Sequence, residues 1–299
     1  MVQLQHFSVL ILLLLQRTNS QLDFDDEETD ESKKIILKTN KLNFHCDLHL
    51  LPQQKKIMYL TTVPSSRKYK ISFDLYKWPK NKEGFVIVPY YISRNSHFSS
   101  EQIHLMRYAM DAVEQETCIR FRERKYEKDF VNIFAGKYCK SNLGRTGGGQ
   151  ELSLNKLKCM QKGIIIHELL HALGYIHEHN RPDRDKYVKI LWQNIDPKWY
   201  KEFDRVSPTM HNTYGTSYDY HSIMHYGAKA SSRNGLATIV PREEQYLNSI
   251  GQRGGLSVGD IQRINNKYHC NVKTPKFINY GYKRLNSDND NDFLSYKIF

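Results

Sequence analysis

The segment that most constrains this chain is His167-Glu168-Leu169-Leu170-His171-Ala172-Leu173-Gly174-Tyr175-Ile176-His177. Residues four apart share one helix face, separated by about 6 Å of rise, so His167 and His171 can turn their imidazoles toward one point with Glu168 beside them. Gly174 tolerates the left-handed backbone that ends a helix and turns the chain back, which returns His177 as a third imidazole. Three nitrogens and an open fourth position form the donor set of a catalytic zinc, and the adjacent carboxylate is placed to carry a proton. Two histidines on a helix are more often solvated or packed in a core. Five residues at these offsets, however, coincide in only about one random chain in 10⁵.

Composition sets the surroundings of that motif. Of the 299 residues, 39% are apolar and 12% aromatic, which excludes a wholly disordered chain. No apolar run reaches 18 residues, which excludes a multispan membrane protein. Residues 7–15 (FSVLILLLL) form a short apolar run followed by Arg17-Thr18-Asn19-Ser20. That is the length of a signal peptide rather than of a membrane span, so residues 1–20 read as a leader and the protein as secreted and extracellular. The net charge of +12 leaves +9 between residues 69 and 270, once Arg17, the neutral stretch 21–68 and the tail's +2 are set aside. This excess is scattered and accompanies no finger, homeodomain or aromatic RNA-binding motif, so nucleic acid is not expected as a partner.

Residues 23–31 (DFDDEETDE) read as a solvated acidic run. The compact pattern begins at Lys77-Trp78-Pro79, with strands expected over 85–92 and 130–135. Ser99 and Gln102 open a helix as a capping box, with Ile103, Met106, Met110 and Val113 on its apolar stripe, and Ser257 and Asp260 cap a last helix carrying Ile261, Ile264 and Tyr268. The zinc-motif helix is expected over 160–173, and Gly144–Gly149 (GRTGGG) reads as a loop too glycine-rich for a regular element. Four of the five cysteines (Cys118, Cys139, Cys159 and Cys270) lie in the compact region, which in a secreted chain suggests two disulfides with three possible pairings. Cys46 is left over.

Beyond the zinc helix, the sequence resembles the astacin family of metzincin peptidases. His177-Glu178-His179-Asn180-Arg181-Pro182-Asp183-Arg184-Asp185 is similar to that family's HE-x-x-RPDRD extension, and Ser222-Ile223-Met224-His225-Tyr226 to its Met-turn. Cys139 to Cys159 resembles its glycine-rich segment, and Gly251-Gln252-Arg253 through Cys270 its C-terminal part. The likeness covers about residues 69–270. It implies an α+β catalytic domain with a twisted five-stranded sheet and helices, with a cleft between two subdomains. It also implies one zinc per subunit held by His167, His171 and His177, with Glu168 as general base. Met224 would lie beneath the metal, and Tyr226 would be a further ligand at rest that swings to the reacting carbonyl. Taken alone, Met224 and Tyr226 read as core residues. The implied disulfides are Cys118–Cys270 and Cys139–Cys159. Arg253 reads as a lining of the pocket just past the scissile bond, selecting acidic residues, or as a surface arginine.

Phe44-His45-Cys46-Asp47 resembles the family's Phe-x-Gly-Asp propeptide motif, with Cys46 in place of glycine. Asp47 would then block the zinc, although a Cys46 thiolate is itself a zinc ligand and an alternative switch. A trypsin-like protease would cut near Lys68, and the new N-terminus near Tyr69 would meet Glu178. The expected organisation is a signal peptide at 1–20, a propeptide at 21–68, a peptidase domain at 69–270 and a short tail at 271–299. The expected function is zinc-dependent endoproteolysis of extracellular proteins or peptides, from a zymogen and without a membrane span. The alternative is an inactive zinc-containing extracellular binding protein.

Overall fold

The computed structural model describes residues 47–54, 76–208 and 211–271. The leader, the acidic run, Cys46, the Arg67-Lys68-Tyr69 site and the tail beyond Asn271 lie outside the described residues. The regular elements are β1 (Leu48–His49), β2 (Val86–Ile92), α1 (Ser100–Glu116), β3 (Ile119–Glu123), β4 (Phe130–Phe134), β5 (Lys140–Asn142), β6 (Gly149–Ser153), α2 (Lys162–Ala172), β7 (Val188–Ile190), β8 (Ile239–Pro241) and α3 (Val258–Tyr268).

Both sequence-marked helix starts are reciprocal caps. Ser99 Oγ accepts from the Gln102 amide while the Gln102 side chain accepts from the Ser99 amide, and Ser257 and Asp260 do the same for α3. Each satisfies two orphan donors of its first turn. Ile103, expected on the buried stripe of α1, is instead exposed; Met106, Ala109, Met110 and Val113 carry the contact with the core.

The main sheet has the order β1-β5-β6-β4-β2-β3, with β5 and β6 antiparallel and every other pair parallel. Five of its strands lie between residues 86 and 153, as the resemblance implies, and the sixth, β1, comes from the segment read as propeptide and extends the β5 edge. β3 escaped the sequence reading although Ile119-Arg120-Phe121-Arg122 alternates as strands do. The reading of Gly144–Gly149 as a loop fails at its end, because Gly149 begins β6. A Cβ there would run into the ring of Phe130, its partner on β4, so glycine lets that ring lie over the start of β6.

α1 and α2 pack on the sheet through Met106, Met110, Val113, Ile165, Ile166, Leu169 and Leu170, against Val86, Val88, Phe121, Val131, Ile133 and Leu152. A second apolar cluster gathers Val188, Ile190, Phe203, Tyr218, Tyr220, Tyr226 and Ile239 around the β7–β8 ribbon. Cys118 is bonded to Cys270 and Cys139 to Cys159, across separations of 152 and 20 residues. In the chain-entropy picture these cross-links stabilise by about 5 and about 3 kcal/mol.

Candidate metal centre

α2 carries His167, Glu168 and His171, all buried. Its C-terminal carbonyls, which no helical amide can reach, are taken by the local turn at Gly174 and by tertiary partners. The Gly144 and Gly174 amides bond His171 O, Trp78 Nε1 bonds Ala172 O at 2.8 Å, and Lys267 Nζ and Tyr268 Oη bond Leu173 O. Gly174 has φ of +85°, the left-handed conformation that turns the chain back toward His177. At the other end of the helix, a Cβ on Gly163 would overlap the Arg253 carbonyl, so glycine lets the helix start abut the segment that carries Arg253.

The three histidines and Asp47 present one ligand-type atom each, all within 4.8 Å of one another. His167 Nε2 and His171 Nε2 lie 3.3 and 3.2 Å from His177 Nε2, and Asp47 Oδ2 is 3.2 and 3.0 Å from the Nε2 atoms of His167 and His177. His167 Nδ1 faces the Ile223 carbonyl at 2.8 Å and His171 Nδ1 the Tyr175 carbonyl at 2.7 Å. A carbonyl only accepts, so each Nδ1 carries the proton and each Nε2 turns a bare lone pair inward. Burial pushes the pKa of His167 down and, together with the neighbouring His167 and His177, pushes that of His171 well down. The inward Nε2 lone pairs of His167 and His171, converging with a carboxylate oxygen, repel one another unless a cation sits among them, so the residues present fit a zinc ion.

Glu168 lies in the same buried space, and its Oε2 has no hydrogen-bond partner. Burial, and then the Asp47 charge, raise its pKa well above the ordinary carboxylate range, against the opposing Arg253. Burial also works to raise that of Asp47, but the facing imidazoles, His177 foremost, outweigh it and hold the group well below the usual range. Tyr226 Oη stands 3.4 Å from Asp47 Oδ1 and 3.5 Å from Glu202 Oε2, and its ring packs on His177 and His179 at 4.4 and 4.1 Å.

The floor of the site is held by Asp260. Its carboxylate accepts from Ser222 Oγ at 2.6 Å, the Ile223 amide at 2.8 Å and the Ser257 amide at 3.0 Å, tying the start of α3 to the turn that carries Met224. Met224 is buried in the main core, and its carbonyl accepts from the Glu178 amide at 3.0 Å. Arg253 Nη1 donates to the carbonyls of Gln252 and His225, and its guanidinium lies within electrostatic reach of Asp47 and Glu168. The carboxylate of Glu178, read from sequence as the partner of a new N-terminus, accepts from Arg263, Arg181 and the Asp219 amide. A cleft lined by Gly174, Ile176, His211, Tyr214 and Arg263 adjoins this cluster.

The sequence reading missed three side chains here: Glu202 beside Tyr226, Asp260 in its second role, and Lys267 at the end of α2. Asp260 had a visible signal in its capping box. Glu202 and Lys267 had none, since only the packed structure shows that they are buried.

The family model for astacin, a peptidase family, matches residues 71–269. Astacin-like metalloendopeptidase of Gallus gallus is 44% identical over 194 residues, a match spanning 64% of this chain and 46% of that protein. High choriolytic enzyme 2 of Oryzias latipes is 47% identical, over 64% of this chain and 67% of its own length. The solved structure of high choriolytic enzyme 1, a hatching enzyme zinc-protease from the same fish, superposes with a TM-score of 0.62 at 44% identity, covering 66% of this chain and 96% of that one. The chain therefore belongs to the astacin family of zinc metalloendopeptidases. It spans about half the length of several of the relatives it matches, 46% of the chicken protein and 54% of the Caenorhabditis elegans zinc metalloproteinase nas-6 among them.

Proposed function

We propose that this chain is a secreted zinc endopeptidase made as a latent precursor, with a signal peptide at 1–20, a propeptide at 21–68, a catalytic domain at 69–270 and a short tail at 271–299. The observation that carries this reading is the convergence of three imidazole Nε2 atoms beside a buried carboxylate with an unpartnered oxygen. His167, His171 and His177 hold the zinc, and Met224 lies beneath the site. Zinc, when bound, polarises a peptide carbonyl and makes water nucleophilic at neutral pH. Glu168 takes the proton of the attacking water and passes it to the departing amine, a role that suits a carboxyl group whose pKa burial raises. Tyr226, a further ligand at rest, turns its hydroxyl to the developing oxyanion. Arg253 faces the residue just past the scissile bond and favours an acidic side chain there.

Latency rests on Asp47, whose carboxylate fills the space among the histidines that the substrate carbonyl needs. A trypsin-like protease cutting near Lys68 removes it, and the new N-terminus near Tyr69 then reaches Glu178, sharing it with Arg181 and Arg263. Substrates are extracellular proteins or peptides. Two disulfides in the described structure support an oxidising compartment, and no helix among the described residues is long and apolar enough to cross a membrane.

The test compares casein cleavage before and after nicking with trypsin, with and without a zinc chelator, beside Glu168→Gln. Cleavage that begins only after nicking and is lost with chelator is expected, as is a fall in kcat of about 10²–10⁴ in the variant at unchanged zinc content. A Glu168→Gln protein as active as the parent would refute the assignment.

A further inference from the structure

The segment that carries Asp47 also covers an apolar wall. Leu48 and Leu50 are buried in one cluster with Leu143, Ile176 and Val206, while His49 between them is exposed. This is the alternation of an extended strand, in which residues i and i+2 share a face. The backbone beside them is paired, since the Ser141 amide donates to Asp47 O at 2.8 Å and Asn142 Nδ2 donates to His49 O at 3.1 Å. The wall is part of the reactive centre's own framework. Ile176 directly precedes His177, Leu143 follows β5, and the Val206 amide bonds Asn180 O.

An extended peptide in the place of residues 47–50 meets the same β5 edge and the same wall. Once the prosegment leaves, Leu143, Ile176 and Val206 lose the cover that Leu48 and Leu50 give, keeping of that cluster only the partly buried Tyr76 against them, and burying aliphatic groups there is favourable. We propose that this wall is a pair of specificity subsites that selects two aliphatic residues, one residue apart, on one side of the scissile bond of an extended substrate. The inference rests on the endopeptidase reading above and names the substrate class of that same cleft. The side chain between the two aliphatic residues points outward beside Glu151, as His49 does at 4.0 Å, and carries no apolar requirement.

The full-length chain is nicked with trypsin, shown to cleave casein, and then given an extended-peptide library whose cut sites are read by mass spectrometry. Leu, Ile, Val or Met is expected at two positions separated by one, on the same side of the cut, with Gly or Asp at either lowering kcat/KM by about tenfold or more. Val206→Asp, with zinc content as the check on folding, should shift one of these positions away from aliphatic residues. A second arm measures calorimetric binding of the octapeptide Asp47–Gln54 to the nicked protein, against the same peptide with Leu48→Asp and Leu50→Asp. A loss of about tenfold or more is expected. Casein cleavage without the paired preference, a preference unchanged in Val206→Asp, or equal binding of the two octapeptides would overturn the subsites. Absence of casein cleavage would overturn the endopeptidase reading, and the octapeptide arm would still decide the wall.

Discussion

Replacing Asp260 by alanine should cost the domain both stability and metal affinity, and the size of each follows from what the carboxylate holds. It is buried and accepts from Ser222 Oγ, the Ile223 amide and the Ser257 amide. Losing the Ser257 bond removes half of a capping box, worth about 1 kcal/mol. The Ile223 amide, left buried without an acceptor, costs about 1–3 kcal/mol, and the Ser222 hydroxyl about 1 kcal/mol more. Arg263, paired with Glu178, also loses a second nearby negative charge. The total is about 3–5 kcal/mol. The Ile223 carbonyl that orients His167 sits on the peptide this aspartate anchors, so zinc affinity should fall about 10–100-fold as well. The assay is urea unfolding by circular dichroism with the disulfides intact, run in excess chelator so that bound metal adds nothing through mass action. Zinc affinity is measured separately by competition. A stability loss below about 1 kcal/mol together with unchanged zinc affinity would refute the reasoning.

Asp47→Ala should make the uncut precursor cleave casein at least about tenfold faster than the parent, since nothing then fills the space among the histidines; equal rates would remove Asp47 from latency. His225 donates from Nδ1 to the Tyr226 carbonyl and accepts at Nε2 from the Tyr218 hydroxyl, and burial pushes its pKa down to about 4. Its unfolded pKa is about 6.5, so the stability carried by the neutral ring is complete above that pH and is lost as pH falls toward 4. Between pH 7.5 and 5, urea unfolding should show the parent losing about 2 kcal/mol more than His225→Gln. Lys267 places its ammonium on the Leu173 and Gly174 carbonyls and over the ring of Tyr175 at 4.3 Å. Lys267→Met should destabilise the domain by about 1.5–3 kcal/mol, and an unchanged unfolding midpoint would exclude the capping role.

Much of the site was legible before folding because its spacing is local. His167 and His171 face one way because a helix repeats every 3.6 residues, and both capping boxes announce themselves within four positions. The turn at Gly174 likewise needs only the conformational freedom of that residue. The sheet was less legible. β6 begins on a glycine over which the ring of Phe130 lies, and β1 pairs with a β5 edge that is present only in the folded sheet.

The sequence by itself determined the donor set, the helix that presents it and the family to which the chain belongs, because these depend on side-chain chemistry at short fixed intervals. The tertiary structure alone decided which polar groups became buried and what satisfies them. Asp47 crosses 120 residues of sequence to reach His167, Asp260 serves a turn 37 residues away as well as its own helix, and Lys267 closes the end of α2 from 94 residues off. Each carries a large desolvation cost that only a particular partner offsets. That partner is set by how the elements pack, which no local pattern in the chain encodes.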